Sequence, residues 1–276
     1  MKRALATGLA LILSAVGLAS DDVRMLTVDG EGGAFWPGWR GPSAQGYVVG
    51  SGYPDTWSDT ENVLWKVAVP GRGNSSPIVW GERLFLTTAR EGGQTLSILC
   101  YRRSDGTPLW ETPVPHQGVE RVHRKNSRAS ATPVTDGERV YASFGSQGLV
   151  AVDFEGRIVW QRPVGDLANY HGSAGSPVLY RDTIILYQDH AGPSFVAAFD
   201  TKTGETRWRT ERKATIGWGT PIVINAGGRD ELIVSSEDEV NAYDPGTGTP
   251  LWTAQGNTFE VIPTPSVGHG LVFCSS

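Results

Sequence analysis

Chemistry in this chain concentrates between Pro113 and Arg128. There Arg121, His123, Arg124, Lys125 and Arg128 stand in a sequence whose formal net charge is −5. Guanidinium and ammonium groups bind anions, imidazole titrates near neutrality, and Asn126 adds an amide that both donates and accepts. Further along come Tyr170-His171, Trp218 and Glu260. A set of aromatic, basic, amide and acidic groups suits a peptide, a glycan or an anion better than an apolar molecule.

Catalytic and metal-binding patterns are poorly supported by comparison. Cys100 and Cys274 neither adjoin one another nor flank a histidine at metal-ligand spacing, and no zinc or haem motif occurs. Both read as buried thiols rather than a bridge, because they fall in distant parts of the repeat described next. Ser173-Ala174-Gly175-Ser176-Pro177 shares its phase with Ser75-Ser76-Pro77 and Ser130-Ala131-Thr132-Pro133. It is therefore a repeated loop-to-strand junction and not a nucleophile elbow. The expectation is no catalytic residue and no bound metal.

What positions these residues is a repeat. Pro133, Pro177, Pro221 and Pro265 lie 44 residues apart each time, every one after a cluster of small residues. A second marker keeps the same phase: Asp153, Gly156 and Trp160, then Asp200, Gly204 and Trp208, then Asp244, Gly248 and Trp252, with an earlier, tighter copy at Asp105, Gly106 and Trp110. Within one period, short β-branched and aromatic runs alternate with Gly and Asp turns, which predicts a four-stranded antiparallel meander. A sheet of that size cannot bury both faces alone, so copies must stack, and radial stacking gives a β-propeller. The fold class is all-β, with four blades at about 75–112, 130–162, 175–210 and 219–254 and half of a fifth from 263. Trp65, Trp110, Trp160, Trp208 and Trp252 are expected on outer strands, docking one blade on the next. No apolar 3.6-residue period long enough for a helix follows residue 20.

On these residues the chain resembles the pyrroloquinoline-quinone-like β-propeller repeat family, whose pattern A-x-D-x-x-T-G-x-x-x-W is best matched by Phe199–Trp208 and Tyr243–Trp252. The opening Trp36-Pro37-Gly38-Trp39-Arg40-Gly41-Pro42 is similar to that of secreted bacterial members. The resemblance implies seven or eight blades, so about four and a half would be a truncated record of a longer ring. It also implies two functional classes. Quinone-dependent oxidoreductases of this fold carry an adjacent-cysteine disulfide and a Glu, Asn and Asp set for calcium; this chain has no adjacent cysteines. The outer-membrane assembly scaffold is the non-catalytic counterpart.

The first 20 residues read as a secretory signal: Lys2 and Arg3, an apolar stretch from Leu5 to Leu18, then Ala19-Ser20. That stretch is shorter than the ~20 apolar residues of a membrane span. The expected division is signal 1–20, extended arm 21–60 and partial propeller 61–276, with export to the periplasm or beyond. Without Lys2 and Arg3 the formal charge falls from −5 to −7, which opposes general affinity for nucleic acid or anionic membrane.

The insertion that carries the basic residues makes Pro77 to Pro133 56 residues, 12 over the period. Insertions in propellers fall in loops on one face, and loops carry function. The leading expectation is a secreted non-catalytic scaffold binding protein, peptide or glycan at a channel mouth formed by His123, Arg124, Lys125, Asn126, Tyr170, His171, Trp218 and Glu260, with Trp218 needed for binding rather than for packing. The alternative is a quinone-dependent oxidoreductase whose catalytic blades lie outside this chain; a glycan-active enzyme has only the chemistry of the mouth behind it. The face on which Gln188-Asp189-His190 lies stays open.

Overall fold

The computed structural model describes residues 23–28 and 30–276, so the predicted signal lies outside the described residues. Strand β1 is Arg24–Met25. The first blade contains β2 Ile78–Trp80, β3 Arg83–Arg90, β4 Thr95–Arg102 and β5 Pro108–Pro113. The second contains β6 Val134–Thr135, β7 Arg139–Ser143, β8 Leu149–Asp153 and β9 Ile158–Arg162. The third contains β10 Val178–Tyr180, β11 Thr183–Gln188, β12 Phe195–Asp200 and β13 Thr206–Glu211. The fourth contains β14 Ile222–Ala226, β15 Arg229–Ser235, β16 Glu239–Tyr243 and β17 Pro250–Gln255, and the hairpin β18 Ser266–Gly268 with β19 Leu271–Phe273 follows. Each blade is an antiparallel meander in sequence order, as a partial β-propeller requires. The described residues include no α-helix, only three short 3-10 turns.

The blade marker has a physical explanation. Asp153, Asp200 and Asp244 each fold the turn that follows, their Oδ1 accepting backbone N–H groups at 2.8 to 3.1 Å. The turn glycines Gly106, Gly156, Gly204 and Gly248 have φ from +69° to +84°, where a side chain is strained. A Cβ on any of them would strike the ring of the preceding blade's tryptophan: Trp65 on Gly106, Trp110 on Gly156, Trp160 on Gly204 and Trp208 on Gly248. Each indole Nε1 then donates to a carbonyl of that same turn: Arg103 at 2.8 Å, Phe154 at 2.8 Å, Thr201 at 2.9 Å and Pro245 at 3.1 Å. Two tryptophans depart from the expected strand geometry or partner. Trp65 lies in no strand, since no described strand runs alongside it to pair with, although its ring docks like the others. Among the described residues no glycine turn lies beneath Trp252, and its Nε1 donates to Glu231 Oε2 at 2.6 Å within its own blade.

On the axial side the first strands are joined by hydroxyls at the repeat interval. Ser76 N donates to Thr132 Oγ1 at 2.9 Å, Thr132 N to Ser176 Oγ at 3.0 Å and Ser176 N to Thr220 Oγ1 at 3.1 Å. The next residue in phase, Thr264, accepts instead from Trp39 Nε1 at 3.0 Å. Trp39 belongs to a segment that crosses the axial ends of the blades. β1 extends the fourth blade by pairing with β14, Trp36 bridges Val79, Pro37 O accepts from Thr135 N at 2.9 Å, and Gln45 Oε1 accepts from Val267 N at 2.7 Å. A cavity of about 440 Å³ remains between this segment and the first strands of blades two to four.

Trp160 is 6% exposed. Trp160→Ala is expected to lower unfolding free energy by about 3–5 kcal/mol, as deletion of a core aromatic does. Denaturant titration checks this, and a loss under ~1 kcal/mol would remove the docking role.

Candidate functional site

In a four-stranded meander, turns β2–β3 and β4–β5 fall at one end, while turn β3–β4 and the crossing to the next blade fall at the other. The crossings 114–133, 163–177, 212–221 and 256–265 therefore share one face, opposite the end where Arg181 and Asp230 pair at 3.1 Å. Five of the eight sequence-derived residues meet there as one stack. His171 is its hub, with ring centroids 4.9 Å from His123, 4.9 Å from Tyr170 and 5.4 Å from Trp218, mostly edge to face. His123 and Tyr170 lie 5.7 Å apart, and Glu260 Oε1 stands 3.9 Å from His171 Nε2. Asn126 clamps two crossings together, its Nδ2 donating to the carbonyls of His171 at 2.8 Å and Ser173 at 3.2 Å. Arg124 and Lys125 are exposed on the same insertion loop. Partial desolvation, then the neighbouring His171 and the cations Lys125 and Arg124, hold the His123 imidazole below its ordinary pKa.

Trp218 does not match the expectation that it is dispensable for packing. It is 9% exposed and its Nε1 donates to Gly172 O at 2.8 Å, so its ring is a floor under His171. Tyr170, at 66% exposed, is the aromatic that presents its surface to solvent.

The Gln188-Asp189-His190 loop lies on this same face, where Asp189 bridges Gly217 beside Trp218. Sequence spacing gave no sign of its partner, Arg212. That guanidinium grips both oxygens of Asp189, Nε to Oδ1 at 2.8 Å and Nη2 to Oδ2 at 3.0 Å, with side chains 1% and 0% exposed. Its remaining donors reach Asn241 Oδ1 at 3.0 Å, Ser236 Oγ at 2.8 Å and the Tyr243 hydroxyl. His190 is also buried, and its Nδ1 accepts from Ala168 N at 3.2 Å and Gly192 N at 3.1 Å.

The sequence matches, over residues 27–191 and 193–276, the family described as outer membrane protein assembly factor BamB. The chain belongs to this family. A relative in Xanthomonas campestris pv. campestris, described as outer membrane protein assembly factor BamB, is 32% identical over 138 residues, covering 50% of this chain and 30% of that protein. Among solved structures, BamB from Moraxella catarrhalis is similar at 21% identity over 71% of this chain and 56% of that one, with a TM-score of 0.49. Quinohemoprotein alcohol dehydrogenase from Comamonas testosteroni aligns at 13% identity over 83% of this chain and 43% of that one, with a TM-score of 0.55, a likeness of fold. The chain thus spans less than two thirds of the length of these three relatives.

The fold shared with quinoprotein dehydrogenases raises the question of a quinone and its calcium ion. Such a group needs several carboxylate and amide oxygens aimed at one point. On this face the buried carboxylate, Asp189, commits both oxygens to Arg212, and Asn241 Oδ1 faces the same guanidinium. These residues do not fit that group. Cys100 and Cys274 are free thiols; Cys100 is buried, which pushes it up to about 12, whereas Cys274, expected to be buried, is half-buried.

Because His190 Nδ1 accepts two N–H groups, protonating it would break both bonds, and burial depresses its pKa before any other influence. The folded state therefore binds fewer protons than the unfolded state below about pH 6.5, and stability should fall as pH drops through that value. Unfolding titrations between about pH 8 and 5 should show this decline. It should be shallower in His190→Asn, whose amide oxygen can accept without titrating.

Proposed function

We propose that this chain is an exported, non-catalytic propeller of the bacterial cell envelope that binds a protein or peptide partner through the face carrying His123, Tyr170, His171 and Glu260. The observation that carries this reading is the stacked cluster itself. Four successive blade crossings meet at His171, and the stack ends in one exposed ring, Tyr170, resting on buried Trp218 through His171. An anchored aromatic that presents its surface at low entropic cost is the usual centre of a protein-binding patch. Family membership supports an envelope role, since the matched relatives are described as outer membrane assembly factors. The predicted signal supports export to the periplasm.

Two measurements test this. When the chain is expressed with its own first residues, the protein recovered from the periplasm should begin near Asp21; retention in the cytoplasm at full length would remove the export claim. Peptides selected from a random library on the immobilised protein should lose about tenfold or more in affinity for Tyr170→Ala, a change of about 1.4 kcal/mol, without a change in melting temperature. Trp218→Ala should instead melt earlier. If Tyr170→Ala binds the selected peptides as well as the parent, the stack is a structural junction between crossings.

A further inference from the structure

Beside the aromatic stack, and sharing His123 with it, lies a cleft of about 450 Å³ between Gly71-Arg72, the turn Arg90–Gly93 and the insertion loop Val122–Arg128. Its charged lining is Arg72, Arg90, Arg124 and Arg128 against a single acid, Glu91. Only Arg90 is neutralised in an ion pair, by Glu111. Arg72 Nη2 donates to the Arg124 carbonyl at 2.5 Å, and Arg128 Nε donates to the Glu120 carbonyl at 2.6 Å. Carbonyls fix a guanidinium in place without cancelling its charge. Among the described residues, Arg72, Arg124 and Arg128 have no carboxylate within 4.0 Å. The stem of Arg128 lies across Gly93, where a Cβ would fall 2.0 Å from Arg128 Cδ. The acid closest along the loop, Glu120, is engaged elsewhere: its Oε2 accepts from Ser146 N at 3.0 Å, and burial raises its pKa from the ordinary value although the charge of Arg128 acts to lower it.

We propose that this cleft binds the carboxylates of an acidic polypeptide segment, while the adjoining Tyr170 takes an apolar side chain of the same segment. The inference rests on the peptide-binding reading above and adds the partner's chemistry. Guanidinium forks match carboxylates in bidentate geometry. In a chain of net charge −5 a cationic cleft reverses the local field, so it steers acidic partners to this face and repels them elsewhere. A polypeptide is favoured over a small anion because cleft and exposed ring are contiguous through His123, which stacks 5.7 Å from Tyr170. One extended segment can occupy both.

Fluorescence anisotropy with a short labelled peptide of Glu and Phe residues, added to the full chain, tests the proposal. Arg124→Gln, which removes an exposed side chain, should weaken binding about tenfold, and Arg72→Gln by at least as much. A Gln-for-Glu peptide should bind about tenfold more weakly to the parent protein, and Arg181→Gln on the opposite face should change nothing. Melting curves of each variant separate lost contacts from a loosened loop, and Arg124→Gln with an unchanged melt is the deciding variant. Equal binding of the acidic and neutral peptides overturns the acidic partner while leaving the peptide-binding reading in place. Equal losses from Arg181→Gln and Arg124→Gln overturn it too, since a general field would then suffice. Inorganic phosphate displacing the peptide at equal concentration, with Tyr170→Ala without effect, would leave an oxyanion site only and overturn it as well. Failure of the acidic peptide to bind the parent also overturns it; the library selection then decides the broader reading alone.

Discussion

A blade of four short strands has two faces to bury and too little side-chain volume to do so by itself, so everything here depends on how one blade grips the next. The grip is an indole laid on a glycine turn. It combines apolar burial of roughly 150–250 Å² per ring with an N–H that finds a carbonyl in the very turn it covers. The aspartate that folds the turn, the glycine that leaves it flat and the tryptophan that closes on the following blade form one device seen from three positions in the sequence. The glycine-to-tryptophan interval is accordingly four residues in all four copies, whereas the aspartate-to-glycine interval is one, three, four and four.

A second device works on the axial side. The small hydroxyl residues before each proline join the blades edge to edge through backbone N–H groups at the same height in successive repeats. Thr264 continues that phase, yet its hydroxyl is taken by Trp39. The segment containing Trp39 also bonds to the first strands of blades one, two and four. It therefore ties together elements far apart in the chain from the face opposite the aromatic stack. With the outer edges held by indoles and the last residues of each crossing by hydroxyls, the earlier part of each crossing is left to vary.

The fold was legible in the sequence because its causes are local and repeated. Asp, Gly and Trp act within one turn and its neighbour, so a single chain displays the rule several times. The candidate site was legible only through phase. His123, Tyr170, His171 and Glu260 could be placed on one face because equivalent positions in a repeat share a height. Phase says nothing of depth, however, and Trp218 proved to be a buried support rather than a presented surface. The Arg212 and Asp189 pair was invisible for a related reason. The two residues occupy non-equivalent places in the repeat, and nothing in their spacing distinguishes a buried bidentate pair from two solvated charges. Trp65 shows the converse: its ring keeps the phase while its backbone lies outside any sheet, because ring docking needs only the next blade's turn whereas a strand needs a neighbour.

The Arg212 and Asp189 pair also bears on why the loop face can hold a site at all. Burying two charges is costly, and removing one partner leaves the other stranded at about 3–5 kcal/mol. Such a pair adds little net stability but strongly opposes any shift of the crossings it spans. Asp189 bridges Gly217, the residue before Trp218, and Trp218 in turn supports His171 and through it Tyr170. Fixed charge deep in the blades thus sets the height of an exposed ring at the surface. The insertion loop reaches the same stack by a different route, through the Asn126 amide and the carbonyls of the neighbouring crossing. An exposed ring held from both sides gives up little freedom on binding, and that low cost is what lets a few residues on loops act as a recognition surface.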